Sequence, residues 1–391
     1  MYIDKIKLKN FMCFDEVETD FVLPGALASP GGLAVPGLTL LLGPNGGGKS
    51  ALLKALAVGL LAAQGDEGWG LHEHMVAVGA SRAAVELDLR GSGDALQVRA
   101  SVERVGQEFQ RISTQVNGEA GGFSASTPTP VFAVGYGPRR TLSSFDMHSI
   151  WKNLDERGRR HGRLMGLFHD EELLLGPEEW LPASVRRAEI LELLGELLPE
   201  KLEVKVRGNK VEVAHDGVVL GVRGLSESYR SYLLMISDLL FHLTMSHRDG
   251  PLRAARGVVL IDEVELHLAM AWQREILLRL VGVFEGLQFI VSTNSPVVAG
   301  TVYSSNVRVM ESYEGPVQIR TYEESLHGRS SDQILASVYF GATSSRSGRA
   351  KSTLRELAGR TREGDIAGAR EFLEILARGS AAVDGHEGGG R

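Results

Sequence analysis

Gly43-Pro44-Asn45-Gly46-Gly47-Gly48-Lys49-Ser50 is the stretch of this 391-residue chain that decides its fold. It matches the pattern G-x-x-x-x-G-K-[ST], in which glycines let backbone N–H groups turn toward phosphate oxygens. The apolar run Leu38–Leu42 before it predicts a buried strand, and residues 50–63 after it predict a helix. A strand, a glycine loop and a helix in that order predict a loop that binds a nucleotide by its phosphates.

Each part of this loop has an expected role. Lys49 is expected to reach the β and γ phosphates, and Ser50 is expected to ligate Mg²⁺. The positive end of the following helix favours the bound anion. The residues predicted to contact ATP from this segment are Gly43, Pro44, Asn45, Gly46, Gly47, Gly48, Lys49, Ser50 and Ala51.

Two adjacent carboxylates, Asp262 and Glu263, follow the apolar run at residues 258–261. Charged groups at the end of a buried strand are costly unless they meet a cation or water. On its own the pattern also fits an ordinary strand end, but its combination with the glycine loop favours a metal site. We therefore expect Asp262 to hold Mg²⁺, directly or through water, and Glu263 to polarise the attacking water as a general base.

Composition narrows the class of protein. The chain has 43% hydrophobic and 23% charged residues and a net charge of −7, which is typical of a globular protein whose contacts with nucleic acid, if any, are local. Cys13 is the single cysteine, so an internal disulfide is excluded and a core thiol in a reducing compartment is expected. No secretion signal and no apolar run of about 20 residues is visible. A cytoplasmic protein without a membrane segment is therefore expected.

The remaining pattern predicts an α/β fold. Period-two alternation over residues 83–116 predicts antiparallel strands, residues 150–200 are helical in character, and residues 202–213 predict a hairpin. Strands and helices alternate from Ser226 onward, which favours a parallel sheet covered by helices. We divide the chain into residues 1–140 with the nucleotide loop and a β-rich lobe, 141–224 with a helical insertion and hairpin, 225–345 with the end of the ATPase core, and a helical tail at 346–391 with a frayed end.

Several further motifs resemble those of bacterial RecF-like and OLD-like ABC ATPases over most of the chain. They are Asn10-Phe11, Gly135-Tyr136-Gly137-Pro138 with Arg139 and Arg140, the segment from Leu167-Phe168 to Trp180-Leu181, Leu225-Ser226-Glu227-Ser228-Tyr229-Arg230, Ile261-Asp262-Glu263-Val264-Glu265-Leu266-His267-Leu268, Trp272-Gln273, and Gln288-Phe289-Ile290-Val291-Ser292-Thr293-Asn294-Ser295-Pro296. Within this group, the chain resembles the compact ATPase subunits of anti-phage defence systems of the Septu and retron-associated type, which are often paired with a nuclease.

This resemblance implies an ABC-type P-loop ATPase head with a mixed sheet, a β-rich lobe and a helical insertion. It implies that Ser226, in the signature loop, contacts the γ-phosphate of ATP bound to a second subunit. Two Mg-ATP molecules are then enclosed in a head-to-tail homodimer, which switches a separate effector such as a nuclease. Asn294 stands at the position of the switch histidine and is the third predicted catalytic residue, with Glu263 and Lys49.

The sequence departs from the family pattern at three places. Ser228 stands where the signature has glycine, and its side chain can weaken close approach to the partner's phosphate. Asn294 can donate a hydrogen bond to phosphate but cannot take a positive charge, so slow hydrolysis is expected. Ala269 and Met270 replace a common His-Pro pair, and His267 fits a packing or capping role at least as well as a catalytic one.

Missing segments restrict the family further. About 85 residues separate Arg140 from Ser226, too few for the long coiled coil of SMC-like proteins. Fewer than 100 residues follow Pro296, and they contain no second cluster of spaced carboxylates. An intrinsic nuclease is therefore not expected.

The densest basic stretch runs from Arg157 to Arg163 and fits either a contact with DNA or RNA or a solvated flexible loop. A second one, with Arg346, Arg349, Lys351 and Arg355, favours an exposed helix start. Two alternatives to a defence ATPase stay open, a DNA-binding RecF-like ATPase in repair and a nucleotide-gated scaffold with little turnover.

Overall fold

The computed structural model describes residues 1–340 except 27, 30–31, 66–74, 92–94, 106–108, 119–130, 143–146, 170–171, 201 and 312–314, together with residue 365. The chain divides into two compact units, Met1–Gly328 and Arg329–Arg391. The first unit carries both large sheets and every candidate site residue. The expected helical tail from Lys351 to Ala377 and the second basic stretch lie outside the described residues. The four-part division made from the sequence remains a prediction.

The strands of the described residues are β1 (Tyr2–Phe11), β2 (Phe14–Asp20), β3 (Ala28–Ser29), β4 (Gly32–Leu33), β5 (Leu38–Leu42), β6 (Arg82–Arg90), β7 (Ala95–Val105), β8 (Phe109–Gly118), β9 (Ala133–Tyr136), β10 (Arg140–Leu142), β11 (Glu172–Leu174), β12 (Leu202–Arg207), β13 (Lys210–His215), β14 (Val218–Leu220), β15 (Gly257–Ile261), β16 (Leu287–Ser292), β17 (Val307–Glu311) and β18 (Gln318–Arg320). The α-helices are α1 (Lys49–Ala63), α2 (Met147–Asn153), α3 (Glu156–Gly162), α4 (Pro177–Trp180), α5 (Arg187–Leu197), α6 (Glu227–Ser246), α7 (Met270–Gln273), α8 (Ile276–Val283), α9 (Pro296–Ala299) and α10 (Ser331–Leu335).

One sheet carries the residues expected to do chemistry. Its strand order is β18-β17-β5-β16-β15-β9, and every neighbouring pair is parallel except β17 and β18. Strands β5, β15 and β16 are buried along their whole length, as expected for continuous apolar runs covered on both faces. Because parallel strands end at the same edge, the loops after β5, β15 and β16 come together. The expected α/β fold with a mixed sheet is confirmed.

The second large sheet is antiparallel, with the order β2-β1-β6-β7-β8. Side chains on β6 alternate between buried and partly exposed positions, so the period-two pattern of the sequence indicates a sheet with one face in the core. Helix α1 packs against this sheet and also contacts β16 of the parallel sheet. Thirteen of its 15 residues are buried, which explains an apolar composition all round the helix instead of along one stripe.

Buried polar side chains fasten the two sheets to each other. The Gln288 side chain on β16 accepts from the Ile3 backbone N–H at 2.7 Å and donates to the carbonyls of Ile3 at 2.7 Å and Val22 at 3.2 Å. On β17, Arg308 is 2% exposed and donates from Nε to the Asp20 carbonyl at 3.0 Å and from Nη2 to the Asp20 carboxylate at 3.1 Å. These bonds satisfy polar groups that would be costly to bury alone and fix how the sheets stack.

The helical part of the chain differs in detail from the sequence prediction. The expected helix over residues 271–284 is divided into α7 and α8, with the break at Arg274 and Glu275. Within residues 150–200, the short strand β11 pairs with β10 in parallel. The segment from Arg157 to Arg163 is not a flexible loop, because residues 156–162 form α3, whose N-cap Asp155 accepts from the Gly158 N–H at 2.6 Å. Ser226 stands at the N-cap of α6, as predicted, but forms no capping bond through its side chain.

Among the described residues, no helix combines the length and the apolar character that crossing a bilayer requires.

The close packing of α1 on the antiparallel sheet generates a stability prediction at Gly59. A Cβ there would lie 2.4 Å from Cδ1 of fully buried Leu87. We expect Gly59→Ala to destabilise the protein by about 1–3 kcal/mol through overpacking. Gly195 in α5 is the matched control, since nothing lies within 4 Å of its added Cβ, and Gly195→Ala should stabilise by up to about 1 kcal/mol because alanine favours the helix. Urea denaturation measures the free energy of unfolding of both variants. A change of the same sign in the two variants would contradict the close packing of Gly59 against Leu87.

Candidate nucleotide site

The glycine loop joins β5 to α1 in a conformation that glycine favours. Gly43, Gly46 and Gly48 have φ values of 148°, 74° and 97°. Side chains would also collide with the structure here, because an added Cβ on Gly43 would lie 2.6 Å from the Met310 carbonyl oxygen. At Gly46, in contrast, nothing lies within 4 Å. The loop is therefore tightly fitted against the protein on one side and open to a ligand at Gly46.

The N-terminus of α1 is left available to an anion. Its N-cap, Gly48, has no side chain to bond the first N–H groups, and no acidic residue occupies the first turn. Helix N-termini carry unsatisfied N–H donors and a partial positive charge. A phosphate at this position would satisfy donors that this sequence leaves without a side-chain cap.

Lys49 is folded back over the loop. It is 6% exposed, and its Nζ donates to the carbonyls of Gly43 at 2.8 Å and Pro44 at 3.0 Å. Burial lowers the pKa of Lys49, and the carboxylates of Asp262, Glu263 and Glu265 act in the opposite direction. The ammonium group therefore lies at the glycine loop within the electrostatic range of all three acids.

A cavity of about 510 Å³ opens over the loop. It is lined by Met12, Cys13, Asn45, Gly46, Gly47, Gly48, Lys49, Ser50, Ala51, Val76, Val78 and Glu263. Its size lies within the range typical of small-molecule sites. Cys13 is not a fully buried core thiol as expected, because the turn between β1 and β2 brings it half-buried to the cavity wall, where its Sγ would lie 3.0 Å from a Cβ on Gly48.

Asp262 lies at the carboxyl end of β15 and is 5% exposed. Its carboxylate accepts a hydrogen bond from Ser292 Oγ, at the end of the neighbouring strand β16. The same Ser292 Oγ accepts from the Glu263 backbone N–H at 2.8 Å. One hydroxyl thus orients both members of the acidic pair, and the pairing of Ile261 with Val291 in the sheet places it there.

Glu263 occupies an unusual backbone conformation, with φ of 47°, a region that residues other than glycine seldom adopt. Its side chain is half-buried and lines the cavity beside the glycine loop. Burial raises the pKa of Glu263, the nearby Asp262 and Glu265 carboxylates raise it further, and Lys49 and Arg140 oppose them. A carboxylate with a raised pKa is better matched to accept a proton near neutral pH.

Arg140 holds the backbone of this acidic turn. It is 6% exposed, and its Nη2 donates to the Asp262 carbonyl at 2.6 Å and the Glu263 carbonyl at 3.3 Å. Its Nε donates to the Gly137 carbonyl at 3.1 Å. Arg139, the other half of the pair, is exposed. The two arginines of this motif therefore differ in role, and Arg140 is structural to the turn.

Asn294 reaches the glycine loop from the end of β16. Its Nδ2 donates to Asn45 Oδ1 at 2.6 Å, and its backbone N–H donates to Glu265 Oε1 at 2.7 Å. The other Glu265 oxygen accepts from Thr293 Oγ1 at 2.6 Å. Glu265 thus fixes the segment that carries Asn294. The loops after β5, β15 and β16 together bring Lys49, Asp262, Glu263 and Asn294 to one place.

Ser226 lies elsewhere. It is exposed at the N-cap of α6 and does not line the cavity over the glycine loop. Helix α6 is anchored by Tyr232, whose ring meets Trp272 edge-on at 5.3 Å. His267 is exposed, and its Nε2 lies 3.9 Å from the Glu227 carboxylate, next to Ser226. Ser228 lies in the first turn of α6 without a positive φ, so its backbone does not require glycine.

The donors available to a metal are few. Among the described residues, no group of three or more His, Cys, Asp or Glu side chains is arranged to hold a metal ion. The Ser50 hydroxyl is exposed at the start of α1, and the Asp262 carboxylate is already oriented by Ser292. Two protein oxygens supplemented by phosphate oxygens and water suit Mg²⁺, which keeps several waters and is commonly bound with substrate phosphates. The residues present therefore fit a magnesium ion delivered with a nucleotide.

Three residues of the site carried no role in the sequence interpretation. They are Ser292, Glu265 and the structural Arg140. Each one acts through a neighbour that is distant in sequence, since 122 residues separate Arg140 from the Asp262 carbonyl that it binds. Each of the three residues lies in a motif that the sequence shows, but their hydrogen-bond partners follow only from the order of the strands in the sheet.

Sequence comparisons match this chain to one protein family and to several curated relatives. A family described as an AAA domain matches residues 5–127. Septu protein PtuA of Bacillus mycoides (strain KBAB4) is 25% identical over 357 residues, covering 87% of this chain and 45% of that protein. The Retron Ec83 probable ATPase of Escherichia coli is 36% identical over 113 residues, 28% of this chain and 21% of that protein. The Retron Vc95 probable ATPase of Vibrio cholerae is 29% identical over 126 residues, 32% of this chain and 24% of that protein. This chain spans less than half the length of these curated relatives.

Solved structures with a similar fold include heads of SMC proteins. An SMC head bound to the C-winged helix domain of ScpA has a TM-score of 0.50 and 15% identity, covering 82% of this chain and 98% of that chain. The SMC head domain from Thermotoga maritima has a TM-score of 0.46 and 18% identity, covering 83% of this chain and 100% of that chain. The first of these supports the ABC-ATPase head fold, and the sequence relatives confirm the resemblance to Septu and retron ATPases.

The raised pKa of Glu263 generates a prediction about stability. A carboxyl group whose pKa is higher in the folded than in the unfolded protein contributes stability that is lost as pH rises through the folded value. Glu263→Gln removes that loss, so we expect a higher Tm than wild type at about pH 8 and a smaller difference at about pH 5. Glu200→Gln is the control variant, because it removes one negative charge from an exposed position. Equal Tm shifts for Glu263→Gln and Glu200→Gln at both pH values would contradict the burial and charge effects at Glu263.

Proposed function

We propose that this chain, which has the fold of an ABC-type P-loop ATPase head, binds ATP with Mg²⁺ and hydrolyses it. The observation that carries the proposal is the meeting of Lys49, Asp262, Glu263 and Asn294 around a glycine loop whose helix N-terminus has no side-chain cap. An isolated glycine turn would not need two acids, an amide and a buried lysine at one edge of the sheet. Phosphoryl transfer needs such positioning and charge stabilisation.

Each side chain has a role that follows from its surroundings. Lys49 exchanges its two loop carbonyls for phosphate oxygens, which are better acceptors because they are charged. Glu263, with its raised pKa, accepts a proton from the attacking water. Asn294 donates its amide to phosphate while Asn45 orients it. Ser50 and Asp262 would hold Mg²⁺, and this ion would neutralise part of the phosphate charge.

We further propose that ATP is enclosed between two copies of this chain. Ser226 is exposed and lies apart from the cavity of its own chain, so its proposed contact with a γ-phosphate requires a second subunit. Its position at the N-cap of the 20-residue helix α6, without a capping bond of its own, leaves the hydroxyl and the helix N–H groups available to that phosphate. Ser228, two residues further on in the first turn of α6, stands where the signature has glycine, and its side chain can weaken the contact.

The similarity to Septu PtuA along 87% of the chain supports a role in anti-phage defence. In this proposal, ATP closes the homodimer and hydrolysis reopens it, and the difference between the two states controls a separate effector such as a nuclease. The repair alternative predicts salt-sensitive binding to DNA by the isolated protein. The scaffold alternative predicts negligible turnover of ATP.

Hydrolysis is tested by Glu263→Gln. We expect wild type to release phosphate from Mg-ATP slowly and Glu263→Gln to be slower by a factor on the order of 10² to 10⁴, the contribution typical of general base catalysis. Uptake of Mg-ATP should be retained. A phosphate-release assay with purified protein makes the comparison. Equal and negligible rates for the two proteins would reject the base role and favour the nucleotide-gated scaffold.

The shared site is tested by Ser226→Arg. An arginine there should block the partner's γ-phosphate, so the ATP-dependent dimer and the ATPase activity should both be lost while each chain still takes up Mg-ATP. Light scattering of Ser226→Arg in the Glu263→Gln background, with and without Mg-ATP, measures the molar mass of the particle in solution and so distinguishes a monomer from a dimer. Val185, which is 99% exposed, serves as the control, and Val185→Arg should behave like the parent. A mass that never changes with nucleotide would contradict a dimer assembled by ATP.

A further inference from the structure

A second cavity, of about 500 Å³, lies apart from the nucleotide site and shares no lining residue with it. We call it the arginine cavity after the five arginines in its wall, Arg159, Arg160, Arg163, Arg248 and Arg256. Of the described residues that line it, Glu156 alone carries a carboxylate. A strongly positive cavity in a chain of net charge −7 is unexpected on composition alone, and it indicates an anionic occupant.

The arginine cavity lies at the opposite edge of the parallel sheet from the nucleotide loop. Phe132, in its wall, directly precedes β9, and Arg256 directly precedes β15. Asp262 follows β15 at its other end. Since β9 and β15 are parallel neighbours, the cavity lies at their amino ends, whereas the nucleotide loop lies at the carboxyl edge. The cavity is therefore not a part of the proposed ATPase site, and it does not depend on that proposal.

Arg163 is the buried floor of this cavity. It is 8% exposed, its guanidinium carbon lies 5.2 Å from the centroid of the Phe132 ring, and Nη1 donates to Ser246 Oγ. Its Nε is buried and has no hydrogen-bond partner among the described residues. Burial lowers the pKa of Arg163 to about 10, so the group is still charged at neutral pH. Native proteins rarely leave a charged, buried donor without an acceptor, and an anion in the cavity would supply one.

The rim of the cavity provides cations that the protein itself does not neutralise. Arg160, Arg248 and Arg256 form no salt bridge within the described part of the chain. Arg160 lies in α3, Arg248 in the segment after α6, and Arg256 directly before β15, so three separate parts of the chain contribute to the rim. Arg159 has a different role, because it donates to the carbonyls of Trp151 at 3.1 Å and Lys152 at 3.0 Å. Several converging guanidinium groups match the oxygens of a phosphate.

Aromatic rings complete the wall. Trp151 and Phe132 both line the cavity, and Trp151 is fixed by an edge-on contact with His242 at 4.5 Å between ring centroids. Planar rings next to guanidinium groups suit a ligand that has both a flat base and a phosphate. The volume is also larger than a lone phosphate needs and lies within the range of small-molecule sites.

We propose that the arginine cavity binds a nucleoside phosphate, with its phosphate on Arg160, Arg163 and Arg256 and its base against the aromatic wall. The ligand is either a free nucleotide or the 5′-terminal nucleotide of a nucleic acid strand, which present the same chemistry. In this proposal, the basic stretch of α3 contacts nucleic acid through the arginine cavity and not along an open surface.

Calorimetry on the full chain carrying Lys49→Ala, without magnesium, tests the cavity while the nucleotide loop is impaired. The probes are adenosine and uridine 5′-monophosphate, and a tetranucleotide with and without a 5′-phosphate. We expect one equivalent of a phosphorylated probe to bind and inorganic phosphate to compete with it. Binding of the monophosphates identifies a free nucleotide, whereas binding of the 5′-phosphorylated tetranucleotide alone identifies a strand end.

The variants Arg160→Gln and Arg256→Gln should each weaken that binding by about tenfold or more, since each removes a charge-assisted contact. Arg274→Gln is the matched control, because Arg274 is an exposed arginine outside the cavity, and it should bind like the parent. Circular dichroism verifies that each variant is folded. The proposal is overturned if no phosphorylated probe binds, or if Arg160→Gln and Arg256→Gln bind as tightly as Arg274→Gln.

Discussion

The burial of α1 is the constraint on which the rest of the structure depends. This helix lies between the antiparallel and the parallel sheet, and 13 of its 15 residues are buried. Its N-terminus therefore cannot move without disturbing both sheets. Because Gly48 offers no side-chain cap and the first turn has no acid, the free N–H groups point from a rigid element into a cavity. Rigid elements hold binding groups more accurately than loops do.

The acidic turn after β15 is attached to the same framework and also to helix α6. The Asp262 backbone N–H donates to the Tyr136 carbonyl at 2.8 Å, and the Tyr136 hydroxyl donates to Asp238 of α6 at 3.0 Å. The other Asp238 oxygen accepts from the Leu175 N–H at 3.1 Å. One tyrosine on β9 thus connects Asp262 to the helix that begins beside Ser226. Under the proposed function, these bonds form a physical route by which contact of Ser226 with a second subunit would reach the proposed site of ATP hydrolysis.

Local patterns identify most of the residues proposed for the site. The glycine loop, the strand before it and the acidic pair are each encoded within a few residues, so the sequence predicts them, whereas the structure shows that they meet at one edge of the parallel sheet. Ser292 and Glu265 could not be given partners, because their bonds join the ends of neighbouring parallel strands. Cys13 lines the cavity because the turn between β1 and β2 is folded against the glycine loop, which the sequence alone does not show. The arginine cavity collects residues from separate segments, and the sequence identified only the part contributed by α3.

The central claim is that the glycine loop, with Lys49, binds the phosphates of a magnesium nucleotide. Isothermal titration calorimetry of the wild-type chain and of Lys49→Ala with Mg-ATP measures this directly. The account predicts saturable uptake of one nucleotide per chain at the loop by the wild type and loss of that uptake in a folded Lys49→Ala protein. Absence of uptake by folded wild type, or uptake that Lys49→Ala leaves unchanged, would contradict it.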